Sequence, residues 1–166
     1  MSRIAGIDPG PTHSGLVRLT TGEHGHWPPA VTFAAKEMSN ADLLASLTET
    51  ACDLVVCEWL VTYKNAAIGA SVLDTALLVG RIIERSTAPV RLITRPDIGR
   101  ELCQSGRAKN AQLRAAILEM YPATGGGKDG RLGTSKAPGP LYSVSSHAWS
   151  ALAAALAWMR REGVTG

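Results

Sequence analysis

Aromatic residues are scarce in this 166-residue chain, where four Trp, three Tyr and one Phe make up 5% of the sequence. It has only three cysteines and no CxxC pair, which argues against a disulfide framework or a zinc site. No run of about 18 apolar residues occurs, so no membrane-spanning helix and no membrane partner are expected. The N-terminus lacks the apolar core of a signal peptide. We therefore expect a cytoplasmic protein with reduced cysteines.

The length favours a single domain over residues 1–166, and 45% hydrophobic residues suffice for its core. Lys and Arg total 17 against 14 Asp and Glu, a mildly basic balance. The first 60 residues hold only Arg3, Arg18 and Lys36, so most cations follow later in the chain. If the fold gathers them on one face, that face can neutralise phosphates. An ordinary solvated surface is the alternative.

Apolar runs bounded by turn residues predict five strands. The turn at Pro9-Gly10-Pro11 is short, so the first two strands should form an antiparallel hairpin. The third strand should close a meander. The predicted strands cover residues 3–8, 14–20, 30–36, 54–58 and 90–94.

Helical spacing of apolar residues predicts helices between and after these strands. Ser39-Asn40 should begin the first, whose apolar face extends to Ala51, and Ser145-Ser146 should cap the last. A loop rich in Gly and Pro at 124–140 should be mobile. The other predicted helices cover residues 66–86, a short stretch ending at Cys103, 108–121 and 147–161. Strands followed by alternating helices and strands favour an α/β fold with a mixed sheet and helices on both faces.

Two of the predicted strands end in an acid. Asp8 ends the first strand and Glu58 ends the fourth. Ligands of open α/β sheets bind at the carboxyl ends of the strands, and paired carboxylates there suit Mg²⁺ or Mn²⁺. Two unrelated loop acids or helix caps remain the alternative.

Four segments in this order resemble the motifs of RuvC-type Holliday junction resolvases, which have an RNase H-like fold. The likeness extends to the versions encoded by bacteriophages or prophages, which would act in the bacterial host cell. It covers nearly the whole chain. The segments are Gly6-Ile7-Asp8-Pro9-Gly10 with Ser14-Gly15, Glu58 with Lys64-Asn65-Ala66, Ser105 to Leu113, and Ser146 to Leu156.

The resemblance implies metal-dependent hydrolysis of DNA by a homodimer, with two Mg²⁺ or Mn²⁺ ions in each site. It implies catalytic roles for Asp8, Glu58, His147 and Lys109, and metal binding by Asp8, Glu58, His147 and, through water, Ser150. DNA contacts are implied for a further set: Tyr63, Lys64, Asn65, Arg107, Lys109, Lys128 and Arg131. The helix at 66–86 is the expected dimer surface.

The chain departs from the family at two positions. Ser150 stands where the family usually has Asp, and a hydroxyl is a poor Mg²⁺ ligand, so Asp74, Asp97 or Asp129 is considered as a substitute. Val61 stands where an aromatic residue stacks near the centre of the junction. Tyr63 or Trp59 is considered in its place.

The sequence therefore predicts an endonuclease that cuts four-way DNA junctions with paired nicks. A related RNase H-like nuclease acting on flaps or RNA fits the same order of elements. A junction-binding protein that does not cleave fits the loss of the last acid.

Overall fold

The computed structural model describes residues 1–22, 27–49, 51–61 and 69–164. Within them, five strands and five helices alternate much as predicted. The strands are β1 (Arg3–Asp8), β2 (His13–Thr20), β3 (Ala30–Ser39), β4 (Leu54–Trp59) and β5 (Val90–Thr94). The helices are α1 (Asn40–Glu49), α2 (Ala70–Arg85), α3 (Arg95–Cys103), α4 (Asn110–Met120) and α5 (Ala148–Arg161).

The strands form one mixed sheet in the order β3-β2-β1-β4-β5. β1 pairs antiparallel with β2, and β2 with β3, as the short turn at Pro9-Gly10-Pro11 predicted. β4 pairs in parallel with both β1 and β5. The carboxyl ends of β1, β4 and β5 therefore meet at one edge of the sheet.

Side chains of a strand alternate between the two faces of the sheet, and the two apolar cores follow this alternation. Ile4 and Val56 face the layer of α3, α4 and α5. Ile7 and Cys57 face the layer of α1 and α2. Helices thus cover both faces, as the sequence predicted.

The central helix of the first layer is α5, whose residues from Ala151 to Ala157 are all buried. A helix that is apolar all round belongs inside a fold. Its backbone approaches β1 because Gly6 has no side chain: a Cβ there would lie 2.3 Å from the carbonyl oxygen of Ala151. This contact fixes the distance between α5 and the strand that carries Asp8.

Several boundaries differ from the predicted ones. β3 runs to Ser39 because it continues to pair with His13 at the start of β2, through two irregularities in register. α1 ends at Glu49, so Ala51 is not part of it. The predicted cap at Ser145-Ser146 is wrong: Ser146 has a φ of 47° and His147 is the N-cap residue of α5. In this turn the imidazole of His147 faces the sheet, and no serine hydroxyl caps the helix.

Two further predictions concern the helix at 66–86 and the loop at 124–140. Residues 66–68 of the predicted helix at 66–86 lie outside the described residues. Residues 124–140 are held by backbone hydrogen bonds, among them Gly125 N to Gly130 O and Gly126 N to Ala137 O. Mobility of this loop in solution stays a prediction.

No helix in the described ranges is both long and apolar enough to cross a membrane.

Candidate nuclease site

Asp8 and Glu58 lie side by side at the carboxyl edge of the sheet. Ile7 is paired with Cys57 in the parallel register, so the next residues along each strand are neighbours. Asp8 lies four positions after Ile4, and Glu58 lies two positions after Val56. Side chains at such even spacings share one face of a strand, so both acids lie on the face covered by α5. They line one cleft of about 290 Å³. The structure thus brings these two acids together, and their role as metal ligands stays a prediction.

His147 joins the site from the N-terminal end of α5. Its Nδ1 atom lies 2.9 Å from Oδ2 of Asp8. This approach requires Gly15 in β2, because a Cβ at that position would lie 2.5 Å from the carbonyl carbon and oxygen of His147. The Ser14-Gly15 part of the first motif therefore has a steric role: it admits the turn before α5.

The turn that follows Asp8 is held by a polar network. The buried Ser14 hydroxyl donates to Oδ1 of Asn40 at 2.8 Å and accepts from the backbone N–H of Gly10. The Asn40 amide in turn donates to the carbonyl oxygens of Gly10 and Pro11. This network links α1 to the β1–β2 turn and so fixes the backbone just after Asp8.

Arg95 is a site residue that the sequence analysis missed. It is the first residue of α3, directly after β5, and its Nη1 atom lies 3.7 Å from Oε2 of Glu58. It also donates a hydrogen bond to Oδ1 of Asn110 at the start of α4. The signal was present in the sequence, since a residue that follows the parallel strand β5 reaches the same edge as Glu58.

Burial controls the protonation of the two carboxylates. It raises the pKa of Glu58 to about 7, the charge of Asp8 acts in the same direction, and Arg95 opposes them. Burial also raises the pKa of Asp8, although hydrogen bonding and the charge of His147, then Arg95 and the Ser150 hydroxyl, partly offset it. Two buried acids this close destabilise each other's charge, so a cation between them is favoured.

The residues present fit one divalent ion better than two. Oε2 of Glu58 is buried and has no hydrogen-bond partner among the described residues, and such an oxygen is what a hard cation binds. Among the described residues, however, no three His, Cys, Asp or Glu side chains form a group arranged to hold a metal. Ser150 reaches Asp8 but brings no carboxylate. The predicted second ion therefore stays a prediction, and His147 and Ser150 stay its predicted additional ligands.

The acids considered as substitutes for the missing carboxylate do not line this cleft. Asp74 is exposed on α2. Asp97 pairs with Arg100 and accepts from the Thr94 hydroxyl, and Asp129 pairs with Arg131. Each of these acids is thus placed or engaged elsewhere, and none compensates for Ser150.

The predicted DNA-binding residues fall into three groups. Lys109 and Arg107 are exposed in the segment between α3 and α4, close in sequence to Gly106, which lines the carboxylate cleft. Lys128 and Arg131 line a separate pocket within residues 123–134. Tyr63, Lys64 and Asn65 lie outside the described residues. Arg107 and Lys109 therefore lie on the segment next to the carboxylate cleft, whereas Lys128 and Arg131 line a different pocket.

Trp59 is the aromatic residue found at the cleft. It follows Glu58 directly, lines the cleft together with Val61, and is 36% exposed. An exposed indole beside this cleft offers a surface on which a base can stack. This placement supports Trp59 as the stacking aromatic residue, in place of the one that the family has at the position of Val61.

Comparison with known proteins places this arrangement in a fold class. No family model matches the sequence, and the search of curated proteins also found no match. The mixed five-stranded sheet covered by helices is an RNase H-like fold.

Among solved structures, RuvC from Thermus thermophilus matches with a TM-score of 0.65 and 21% sequence identity, over 98% of this chain and 97% of that one. T. thermophilus RuvC in complex with Holliday junction substrate matches with the same TM-score and 20% identity, over the same shares. The predicted resemblance to RuvC is thereby confirmed at the level of the fold.

Proposed function

We propose that this protein is a metal-dependent endonuclease that cuts branched DNA, with the four-way junction as its substrate. The observation that carries the proposal is the meeting of Asp8, Glu58 and His147 at one edge of the sheet, where Oε2 of Glu58 is a buried acceptor that forms no hydrogen bond within the described part of the chain. The shared fold with RuvC, one structure of which holds a Holliday junction, supports the choice of substrate.

Hydrolysis of a phosphodiester needs an activated water and stabilisation of charge on the leaving oxygen. A divalent ion held by Asp8 and Glu58 supplies both when bound. His147 can accept the proton of the water: with a proton on Nδ1 directed at Asp8, its Nε2 atom is a free base. The guanidinium of Arg95 adds a positive charge where the phosphate becomes more negative.

Cations beside the cleft support DNA as the substrate. Arg107 and Lys109 are exposed on the segment that contributes Gly106 to the cleft wall. Contacts from these side chains to phosphates would position the strand without reading its sequence. Tyr63, Lys64, Asn65, Lys128 and Arg131 stay proposals for further DNA contacts. A DNA substrate also fits the predicted location in the cytoplasm of a bacterial cell.

Paired nicks require two sites, and a homodimer supplies them by symmetry. The outer face of α2 supports this proposal. Leu73 and Leu77 are 54% and 68% exposed there, and Ile83 is 50% exposed. A Cβ at Gly80 would meet nothing within 4 Å, so a second backbone has room to approach. Sedimentation of the purified protein should give twice the mass of one chain.

Two other functions have support. A nuclease acting on flaps or on RNA fits the same fold and the same pair of acids. A junction-binding protein that does not cleave is favoured by one observation, that Ser150 offers Asp8 a hydroxyl where a further carboxylate would complete a metal site.

The experiment that separates these functions compares substrates of equal length: a four-way junction, a flap, an RNA–DNA hybrid and a linear duplex. Each is incubated with protein and Mg²⁺ or Mn²⁺, and the cuts are mapped on every strand. Symmetric nicks on the junction alone support the proposal. Preferential cutting of the flap or hybrid supports the second function, and junction binding without nicks supports the third.

A further inference from the structure

A second cleft, of about 700 Å³, adjoins the carboxylate site. It lies between α4, α5 and the segment from Leu132 to Ser146. Arg95 lines both clefts, and Ser150 lines the second, from which its hydroxyl lowers the pKa of Asp8. Because the two clefts share Arg95, a strand whose phosphate sits at Asp8 and Glu58 has room to continue into this cleft. Its volume is in the range of small-molecule binding sites.

The walls of this second cleft combine flat surfaces with positive charge. The guanidinium of Arg114 lies over the ring of Trp149, 4.9 Å from its centroid. Tyr142, which is 50% exposed, contributes a second aromatic ring. Arg95 and Arg114 line the cleft and no Asp or Glu does, all of its lining residues being among those described. Such a surface attracts an anion with an aromatic part and repels basic peptides.

We propose that this cleft binds one unpaired nucleotide of the strand that is cut, next to the scissile phosphate. The base would stack on the Arg114–Trp149 pair and on Tyr142, and Arg95 would contact the phosphate on the side of the catalytic carboxylates. Bases within a duplex cover each other's faces, so these stacking surfaces are useful only to a strand whose bases are exposed. The inference rests on the proposed function, because it takes the cut strand as the ligand.

Three features of the site favour this ligand over a free anion or an apolar partner. Planar groups line the cleft, whereas a free phosphate needs only charge and hydrogen-bond donors. An apolar segment of protein would bury Arg114 without a counter-charge, which is unfavourable. The route from Asp8 through Ser150 and Arg95 also matches a polymer that continues from one site to the next.

The test measures binding without cleavage, so that its result does not depend on nuclease activity. A fluorescein-labelled oligothymidylate of about eight nucleotides, and an abasic strand of the same length, are titrated in EDTA and followed by anisotropy. Tyr142→Ala removes one stacking surface. Arg114→Lys keeps the positive charge of the Arg114–Trp149 pair and removes its planar guanidinium. Each variant should bind the oligothymidylate about tenfold more weakly than the wild type does.

The abasic strand separates stacking from charge, and the Phe33→Ala variant is the matched control. Phe33 is an exposed ring beneath Arg18 on β3 and has no part in either cleft. We expect unchanged affinity for the abasic strand in both cleft variants and wild-type affinities in the control. Unchanged binding of oligothymidylate by both variants, or an equal loss for both strands, would overturn the inference. Failure of junction cleavage alone would contradict only the proposed function.

Discussion

His147 and Asp8 are 139 positions apart in the chain, yet Nδ1 of the first lies 2.9 Å from Oδ2 of the second. Gly15 makes the contact possible, because it leaves room for the backbone of His147 against β2. Asp8 is mostly buried whereas the imidazole is more than half exposed. The pair therefore presents one ring nitrogen to the carboxylate and the other to an incoming substrate.

Replacement of His147 by Ala tests this arrangement. Loss of a positioned proton acceptor should slow junction cleavage about a hundredfold and leave junction affinity within about twofold. Single-turnover rates and binding in EDTA measure the two quantities. His13→Ala removes an exposed imidazole whose hydrogen-bond partner is its neighbour Thr12, and the variant should cleave at the wild-type rate. Wild-type cleavage by His147→Ala would exclude the proposed role.

Glu58 should destabilise the folded protein at neutral and higher pH. Its pKa is raised from 4.5 to about 7, so the penalty for its buried charge is absent below about pH 4.5 and complete above pH 7. Glu58→Gln should therefore increase the free energy of unfolding at pH 8 by at most about 3 kcal/mol, and by little near pH 5.

Urea denaturation in EDTA at the two pH values measures this gain. Glu119→Gln, which alters an exposed acid on α4, is the control and should change stability little at either pH. A gain for Glu58→Gln that is equal at both pH values would contradict the assigned burial of charge, since packing alone does not depend on pH.

Ser150→Asp should create the carboxylate that the last motif lacks. A second acid beside Asp8 should add a bound Mn²⁺ and raise cleavage at low Mn²⁺ concentration about tenfold, because carboxylates are much better ligands than hydroxyls. Calorimetric titration gives the number of ions bound. Ser143→Asp adds the same charge at an exposed position and should not alter this number. If Ser150→Asp binds no further ion, Ser150 is not a metal-site position.

Arg95→Gln should separate metal binding from catalysis. Removal of the cation 3.7 Å from Glu58 should tighten Mn²⁺ binding several-fold, because a like charge no longer opposes the ion. Cleavage at saturating Mn²⁺ should nevertheless fall at least about tenfold through loss of charge stabilisation. Arg100→Gln, on the same helix, is the control. A loss of cleavage with unchanged Mn²⁺ affinity would assign Arg95 a different role.

Much of the candidate site at the edge of the sheet could be predicted because it follows from a local rule. An apolar strand that ends in an acid places that acid at the edge of the sheet, and the rule located both Asp8 and Glu58. The same rule would have located Arg95, which follows β5. It was missed because a cation after a strand does not resemble a metal ligand, although the neighbouring carboxylate gives it a function.

Other features depend on contacts that no local pattern encodes. The extent of β3 follows from its pairing with His13 across two irregularities in register. The geometry at His147 follows from the positive φ of Ser146 and from the space at Gly15. The second cleft exists only where α4, α5 and the segment from Leu132 to Ser146 come together. Periodicity predicts which residues are buried but not these relations between elements.

The proposed metal-dependent cutting of a four-way junction depends most on Asp8. A labelled synthetic junction is therefore incubated with wild type or Asp8→Asn in Mg²⁺ or Mn²⁺. The wild type should make paired nicks and the variant none, and both should bind the junction equally in EDTA. Tight binding without nicks by the wild type in either ion, or equal nicking by Asp8→Asn, would contradict the proposal.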